Sequence, residues 1–135
     1  MSWAEKTLVV LLRLSAAMLL VALVPACMPF QWMVVIHRAL GMGELPDMPI
    51  VGYLTRSLSA FYAMHGALIL YVSFDVRRHL PVIRFLAVLA VAFGAGMLVL
   101  DAAVGVPLQW TLGEGPFVIA LGAVLLWLAG QVNRK

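Results

Sequence analysis

Five ionisable side chains in or beside the apolar stretches of this sequence are of types that could support chemistry. An ionisable group is costly inside a bilayer, so each one is a functional candidate by default. Arg56 lies about two turns into an apolar stretch. Asp101 ends the next stretch and Glu114 begins the last one, on the same side of the membrane. The candidate ligand-binding residues are Arg56, His65, Asp101, Glu114 and His37.

Two interpretations of Arg56, Asp101 and Glu114 remain open. They could form an ion-pair lock that fixes helix packing, or a site for a polar head group or small anion, which His37 could join. One arginine facing two carboxylates leaves little spare positive charge, which disfavours an anion site. Glu114 is expected at a helix N-terminus, where the helix dipole stabilises a negative charge without any ligand.

His65 lies near the middle of its apolar stretch. A neutral histidine hydrogen-bonded to a neighbouring helix is the commoner situation. A haem would need a second axial histidine at matching depth, and neither His37 nor His79 lies inside an apolar stretch. A chlorophyll-type pigment favours a small residue four positions earlier, where this chain has Phe61. We therefore predict no cofactor and no metal.

Motifs that carry catalysis are absent from the sequence. It contains no P-loop, no glycine-rich dinucleotide turn, no HExxH, no GxSxG and no CxxC. Cys27 is the only cysteine, so an intrachain disulfide is impossible. These absences favour a protein that is not an enzyme.

The composition is typical of a chain dissolved in lipid. Of the 135 residues, 64% are hydrophobic and 11% are charged, whereas soluble domains have roughly 45–50% and about 25%. A chain of this length could not bury so much apolar surface in a water-soluble core. The net charge of +3 comes from basic residues scattered between apolar runs, which excludes a nucleic-acid-binding face.

The apolar runs predict an all-α fold, a single membrane domain that is a four-helix bundle. The spans cover residues 7–24, 49–74, 81–100 and 116–132, and prolines mark most of their ends. Residues 30–40 have an apolar side and a polar side, which predicts an additional amphipathic helix in the membrane interface. The first run is too long for a signal peptide, and Pro25 fits a cleavage site poorly. We expect it to be a retained span.

Orientation follows from the basic residues. Arg77, Arg78 and Arg84 lie between the second and third spans, Lys6 precedes the first, and the chain ends in Arg134-Lys135. The positive-inside rule places these segments, and both termini, in the cytoplasm. Small residues, among them Ser59, Ala63 and Ala67, or Ala90 and Gly94, or Ala92 and Gly96, would let the spans pack closely.

Several segments resemble the small four-span bacterial membrane proteins of the DoxX and BphX-like type. The residues that carry the resemblance are 49–57, Tyr62 to Gly66, 74–78, Asp101 and 110–116. The resemblance covers most of the chain, in hydropathy and topology more than in a diagnostic motif. Those families largely lack an assigned activity, so the resemblance implies a membrane protein and assigns no functional residue.

Two functional hypotheses follow. The first is a non-catalytic inner-membrane protein that is an accessory or scaffolding subunit, or a self-associating bundle, with the lipid bilayer and a homo-oligomer or larger membrane complex as its partners. The second is a membrane-embedded binder of a small ligand or lipid, or an enzyme, with its polar site near the outer face. The second requires a cavity open to the outer leaflet into which the candidate side chains point.

Overall fold

The chain folds into six helices in a computed structural model that describes residues 1–132. The all-α fold is confirmed, since the described residues contain no strand. The predicted basic C-terminal end, Arg134-Lys135, lies outside the described residues. The helices are α1 (Trp3–Leu20), α2 (Leu23–Cys27), α3 (Phe30–Ala39), α4 (Pro49–Ser73), α5 (Leu80–Val104) and α6 (Leu108–Val132).

A capping box starts α1. The backbone N–H of Glu5 donates to Ser2 Oγ at 3.2 Å, and the backbone N–H of Ser2 donates to Glu5 Oε2 at 2.5 Å. These reciprocal bonds satisfy N–H groups that have no partner inside the helix. The helix therefore begins at Trp3, four residues before the predicted span.

Pro25 causes α1 to end at Leu20, several residues before the proline itself. A proline lacks the N–H that would bond to the carbonyl four residues back, and its ring crowds that carbonyl. Here that carbonyl belongs to Val21, which accepts instead from Val24 N at 2.9 Å. The helix consequently breaks at Val21 and Ala22, and the short α2 follows.

Helix α6 begins eight residues before the predicted fourth span. Pro107 starts it, because its carbonyl accepts from Trp110 N at 2.9 Å and Thr111 N at 3.2 Å. Pro116 lies inside the helix, although it was expected at the first turn. Glu114 is therefore not at a helix N-terminus, and the predicted dipole stabilisation of its charge is wrong.

The chain divides into two compact units, and each is described by itself. The hairpin unit comprises Met1–Arg13 and the chain from Val72 onward. Its helices α5 and α6 pack at backbone distance, because a Cβ atom added at Gly94 would lie 2.7 Å from the Gly115 carbonyl oxygen. Gly122 approaches the Ala87 carbonyl in the same way. Small residues thus permit the close helix packing typical of membrane proteins.

At one end of the hairpin unit, segments that are far apart in the sequence lie in contact with one another. The rings of Trp3 and Trp127 meet edge to face with centroids 6.2 Å apart. Arg84 Nη2 donates to the Ala129 carbonyl at 3.0 Å, in the last turn of α6, where carbonyls lack helical partners. The start of α1, the start of α5 and the end of α6 therefore lie together.

The groove unit comprises residues Leu14–Tyr71. Gly66 of α4 packs on α1, where an added Cβ would lie 2.8 Å from Leu19 Cβ. The ring of Phe30 lies 3.8 Å from the position of a Cβ at Gly52, so α3 packs on the first turns of α4. A helix is present where the amphipathic one was predicted, and its place in the membrane interface stays a prediction.

Three helical segments are long and apolar enough to cross a membrane, namely Trp3–Cys27, Leu80–Val104 and Leu108–Val132. Large apolar side chains remain exposed along them, which fits a membrane protein with lipid around it. Helix α4 is as long as α5 and α6, but Arg56, His65 and several hydroxyl-bearing residues lower its hydropathy.

Candidate functional site

A groove lies at the start of α4 in the groove unit. Its volume is about 710 Å³, within the range of about 300–1,000 Å³ that is usual for ligand sites. Apolar and aromatic side chains form most of its wall, with a few polar groups among them. It is lined by Ala26, Phe30, Asp47, Met48, Pro49, Gly52, Tyr53, Arg56, Ser57 and Ala60.

Local sequence determines how these elements form the groove. Pro29 breaks the helix after Met28, so the chain turns between α2 and α3. Thr55 Oγ1 contacts Met33 Sδ at 3.6 Å, and Met33 is buried. This contact and the Phe30–Gly52 packing hold α3 against α4. The groove thus lies between α4 and the chain that precedes it.

Among the described residues that line the groove, Arg56 is the only cation. Its Nη2 atom donates to the Met28 carbonyl at 3.3 Å, and within the groove unit no carboxylate lies within ion-pair distance of it. Its side chain is exposed. The guanidinium has further N–H donors, which are available to a bound anionic group.

Asp47 lines the same groove with a negative charge. We expect a residue two positions before Pro49 to cap α4. However, the structure records no hydrogen bond for the Asp47 carboxylate among the described residues, and Asp47 is exposed. Its carboxylate therefore remains available to the groove. The sequence placed Asp47 at a helix start and missed its place in a site.

His37 lies in the groove unit but does not line the groove. Its Nδ1 atom is 3.0 Å from the Gly43 carbonyl oxygen, so Nδ1 carries the proton and donates it there. Next to it, Arg38 and Glu44 form an ion pair at 2.8 Å. The hydrogen bond from Arg38 to Glu44 and the negative charge of Glu44 hold the pKa of Arg38 above its usual value. Both contacts tie the end of α3 to the loop that follows it.

Asp101 and Glu114 lie in the hairpin unit. Asp101 is only 4% exposed, and its Oδ2 atom has no hydrogen-bond partner among the described residues. Glu114 Oε2 accepts from Trp110 Nε1 at 2.8 Å, and the two carboxyl groups are near enough to interact electrostatically. The structure therefore brings the two acids close together, where their negative charges repel each other.

Arg56 belongs to the groove unit. The predicted cluster of Arg56 with Asp101 and Glu114 stays a prediction, because it would join residues of two units. His65 is exposed at the middle of α4, and the structure records no hydrogen bond of its ring within the groove unit. The expected interhelical hydrogen bond of His65 also stays a prediction.

Glu5 is a buried charged residue that the sequence analysis missed. It is 1% exposed, and its Oε1 atom accepts a hydrogen bond from Arg77 Nε while Oε2 completes the capping box. The hydrogen bond and charge of Glu5 raise the pKa of Arg77. The spacing Ser2-x-x-Glu5 indicates a capping box, but nothing in the sequence indicates Arg77 as the partner.

Known proteins give no guide to this arrangement. Comparisons with protein-family models, curated proteins and solved structures find no match for the chain. The resemblance to the DoxX and BphX-like proteins therefore stays a prediction. Among residues 1–132, no group of three His, Cys, Asp or Glu side chains could hold a metal ion.

Proposed function

We propose that the chain crosses the inner membrane four times, with α4 as the second span, in addition to the three long apolar segments, and with both termini in the cytoplasm. Glu5 and Arg77 are in direct contact, so the chain that leaves this end along α1 returns to it after α4. Helix α4 has 25 residues, which is about 37 Å at 1.5 Å per residue and enough to cross the hydrocarbon core. The basic residues Lys6, Arg77 and Arg78 lie near this end, as the positive-inside rule requires of a cytoplasmic face.

The groove is proposed to bind a membrane amphiphile whose head group carries a phosphate. The observation that supports this function is Arg56, a cation in a largely apolar groove with no carboxylate partner in its own unit. Arginine matches the geometry of phosphate oxygens, with which it forms two parallel hydrogen bonds. The apolar wall of the groove suits acyl chains.

In the proposed topology the groove opens at the outer interface. It is lined by the first three turns of α4, at the end opposite Ser73 and the Arg77 loop. A head group would there lie level with Arg56 while its acyl chains extend along Ala60 and the apolar face of α4. Binding of this kind needs no catalytic group, which agrees with the absence of catalytic motifs from the sequence.

The test is the thermal stabilisation of the purified protein by added phospholipid. In a maltoside detergent, dioleoyl phospholipid should raise the melting temperature of the wild type by several degrees, because a ligand stabilises the state that binds it. Arg56→Gln should weaken apparent affinity by about tenfold, the equivalent of about 1.4 kcal/mol. Arg56→Lys, which keeps the charge, should recover part of the effect.

The matched control is Arg38→Gln. Arg38 is another exposed arginine of the groove unit, but it pairs with Glu44 and does not line the groove. Its removal should leave the phospholipid effect unchanged. Equal losses in the Arg38 and Arg56 variants would reject the groove as the binding site.

A second candidate function is self-association. The observation that favours it is the exposed side chain of His65 at the middle of α4. An exposed imidazole at the middle of a membrane span is costly without a hydrogen-bond partner, and a second copy of α4 would bring one. His65→Leu should then shift the protein from dimer to monomer, as measured by light scattering of the detergent-solubilised protein. A wild-type protein that is monomeric at all concentrations would exclude this function.

A further inference from the structure

We infer that the head group bound in the groove also carries a primary ammonium, so that the ligand is an ethanolamine phospholipid. This inference rests on the proposed function and specifies its ligand. Arg56 and Asp47 are the two charged residues of the groove wall, one positive and one negative. A head group with one phosphodiester and one ammonium complements both charges.

The balance of charge disfavours the other common phospholipid class. A phosphatidylglycerol head group carries a net negative charge and would meet Asp47 as well as Arg56. A carboxylate beside a bound anion is repulsive, and the attraction of a single arginine would be partly cancelled. A zwitterionic head group turns that repulsion into a second favourable contact.

The order of the two residues along the helix matches the order of groups in the lipid. Asp47 precedes the first residue of α4, and Arg56 lies seven residues beyond Pro49, about 10 Å deeper along the axis. A helical side chain also points back toward the N-terminus of its helix, which brings the Arg56 guanidinium toward Asp47. In a phospholipid the acyl chains are deepest, the phosphate follows and the ammonium is outermost.

The chemistry of Asp47 selects ethanolamine rather than choline. A primary ammonium has three N–H donors for a carboxylate, and such charge-assisted bonds are among the stronger ones in proteins. A trimethylammonium has no N–H, so it would interact with Asp47 only by charge attraction at a longer distance, and with the faces of Phe30 and Tyr53 by cation–π contact. The carboxylate of Asp47, which has no hydrogen bond among the described residues, would then stay without a donor.

The experiment is a competition measured by native mass spectrometry. The full-length protein is released from mixed micelles that contain equal amounts of dioleoyl phosphatidylethanolamine, phosphatidylglycerol and phosphatidylcholine. The wild type should retain the ethanolamine lipid at least about fivefold over each of the others. Asp47→Asn should abolish this preference and favour phosphatidylglycerol, because the groove then has a net positive charge.

Glu44→Gln is the matched control, since Glu44 is an exposed carboxylate of the same loop that pairs with Arg38 and does not line the groove. It should retain the wild-type preference. Wild-type preference for phosphatidylglycerol, equal retention of phosphatidylcholine, or an unchanged ratio in Asp47→Asn would overturn the ethanolamine inference. If Arg56→Gln still lowers total lipid retention, the proposed function stands even though the ethanolamine inference has failed. If Arg56→Gln retains as much lipid as the wild type, the proposed function fails as well.

Discussion

At the scale of single residues, the charged groups have different environments that their positions in the sequence do not reveal. Glu5 and Asp101 are both almost fully buried acids. Glu5 has Arg77 and the capping box as partners, whereas Asp101 Oδ2 has no partner among the described residues. Burial of a charge without a partner is strongly unfavourable. The two acids should therefore respond differently to neutralisation.

Asp101→Asn should raise the free energy of unfolding by about 1–3 kcal/mol, because it removes a buried charge that has no ion-pair partner and keeps the shape of the side chain. Denaturation of the purified protein in detergent at neutral pH measures this. A loss of about 3–5 kcal/mol, the size expected when one partner of a buried ion pair is removed, would contradict it and show that Asp101 has a cationic partner.

Arg77→Gln should destabilise the protein more than Glu5→Gln. Removing Arg77 leaves the buried Glu5 carboxylate without its cation, whereas replacing Glu5 removes the buried charge itself. Thermal unfolding of both variants and of the double variant measures the difference. Similar melting temperatures for the two single variants would mean that the ion pair, in which the Arg77 side chain is 72% exposed, contributes little.

At the scale of helices, the close approach of α5 and α6 depends on particular glycines. Gly94 is buried, and a Cβ there would meet the Gly115 carbonyl and the backbone of Ile119, which cannot move aside like a flexible side chain. Gly96, two residues along the same helix, has nothing within 4 Å of a Cβ. The sequence offered either position as a packing site, and only the structure distinguishes them.

Gly94→Ala should destabilise the protein by about 1–3 kcal/mol, because the two helices must separate to admit the methyl group. Gly96→Ala is the matched control and should be neutral or stabilising by up to about 1 kcal/mol through its higher helix propensity. Unfolding of the two variants in detergent compares them directly. Equal effects would mean that the backbone contact at Gly94 does not hold the helices together.

The sequence predicts some helix bounds well and others poorly, for physical reasons. Pro49 and Pro81 indicate the starts of α4 and α5 because proline is pre-organised for a first helical turn. The start of α6 was missed because residues 113–116 have the composition of a turn. In lipid, however, a helix is the way to satisfy backbone groups, so glycine and proline are tolerated within it.

The groove could not be predicted from the sequence, although Arg56, one of its two charged residues, was named there as a candidate. The groove depends on contacts between α3 and α4, such as Phe30 on Gly52 and Met33 on Thr55. These pairs are 22 residues apart and have no common motif. The early start of α6 is needed to explain the hydrogen bond from Trp110 to Glu114, because both residues then lie within that helix.

At the scale of the whole molecule, the proposed four-span topology has a direct test. In a Cys27→Ser background, cysteines introduced at Arg78 and Leu112 should react with an impermeant maleimide from opposite sides of the membrane. Position 78 should be protected in intact cells and position 112 should be labelled, since an odd number of spans separates them. Labelling of both positions from one side would exclude the topology.

The separation of Glu5 and Arg77 along the sequence determines when their ion pair can form during synthesis of the chain. Glu5 leaves the ribosome 72 residues before Arg77, so in the proposed four-span topology its carboxylate has no cationic partner until α4 has been inserted. The pair can form only if the two residues reach the same side of the bilayer. An insertion error that sent the Arg77 loop across the membrane would leave Glu5 without its cation. The ion pair thus stabilises the chain only when the number of crossings between Glu5 and Arg77 is even.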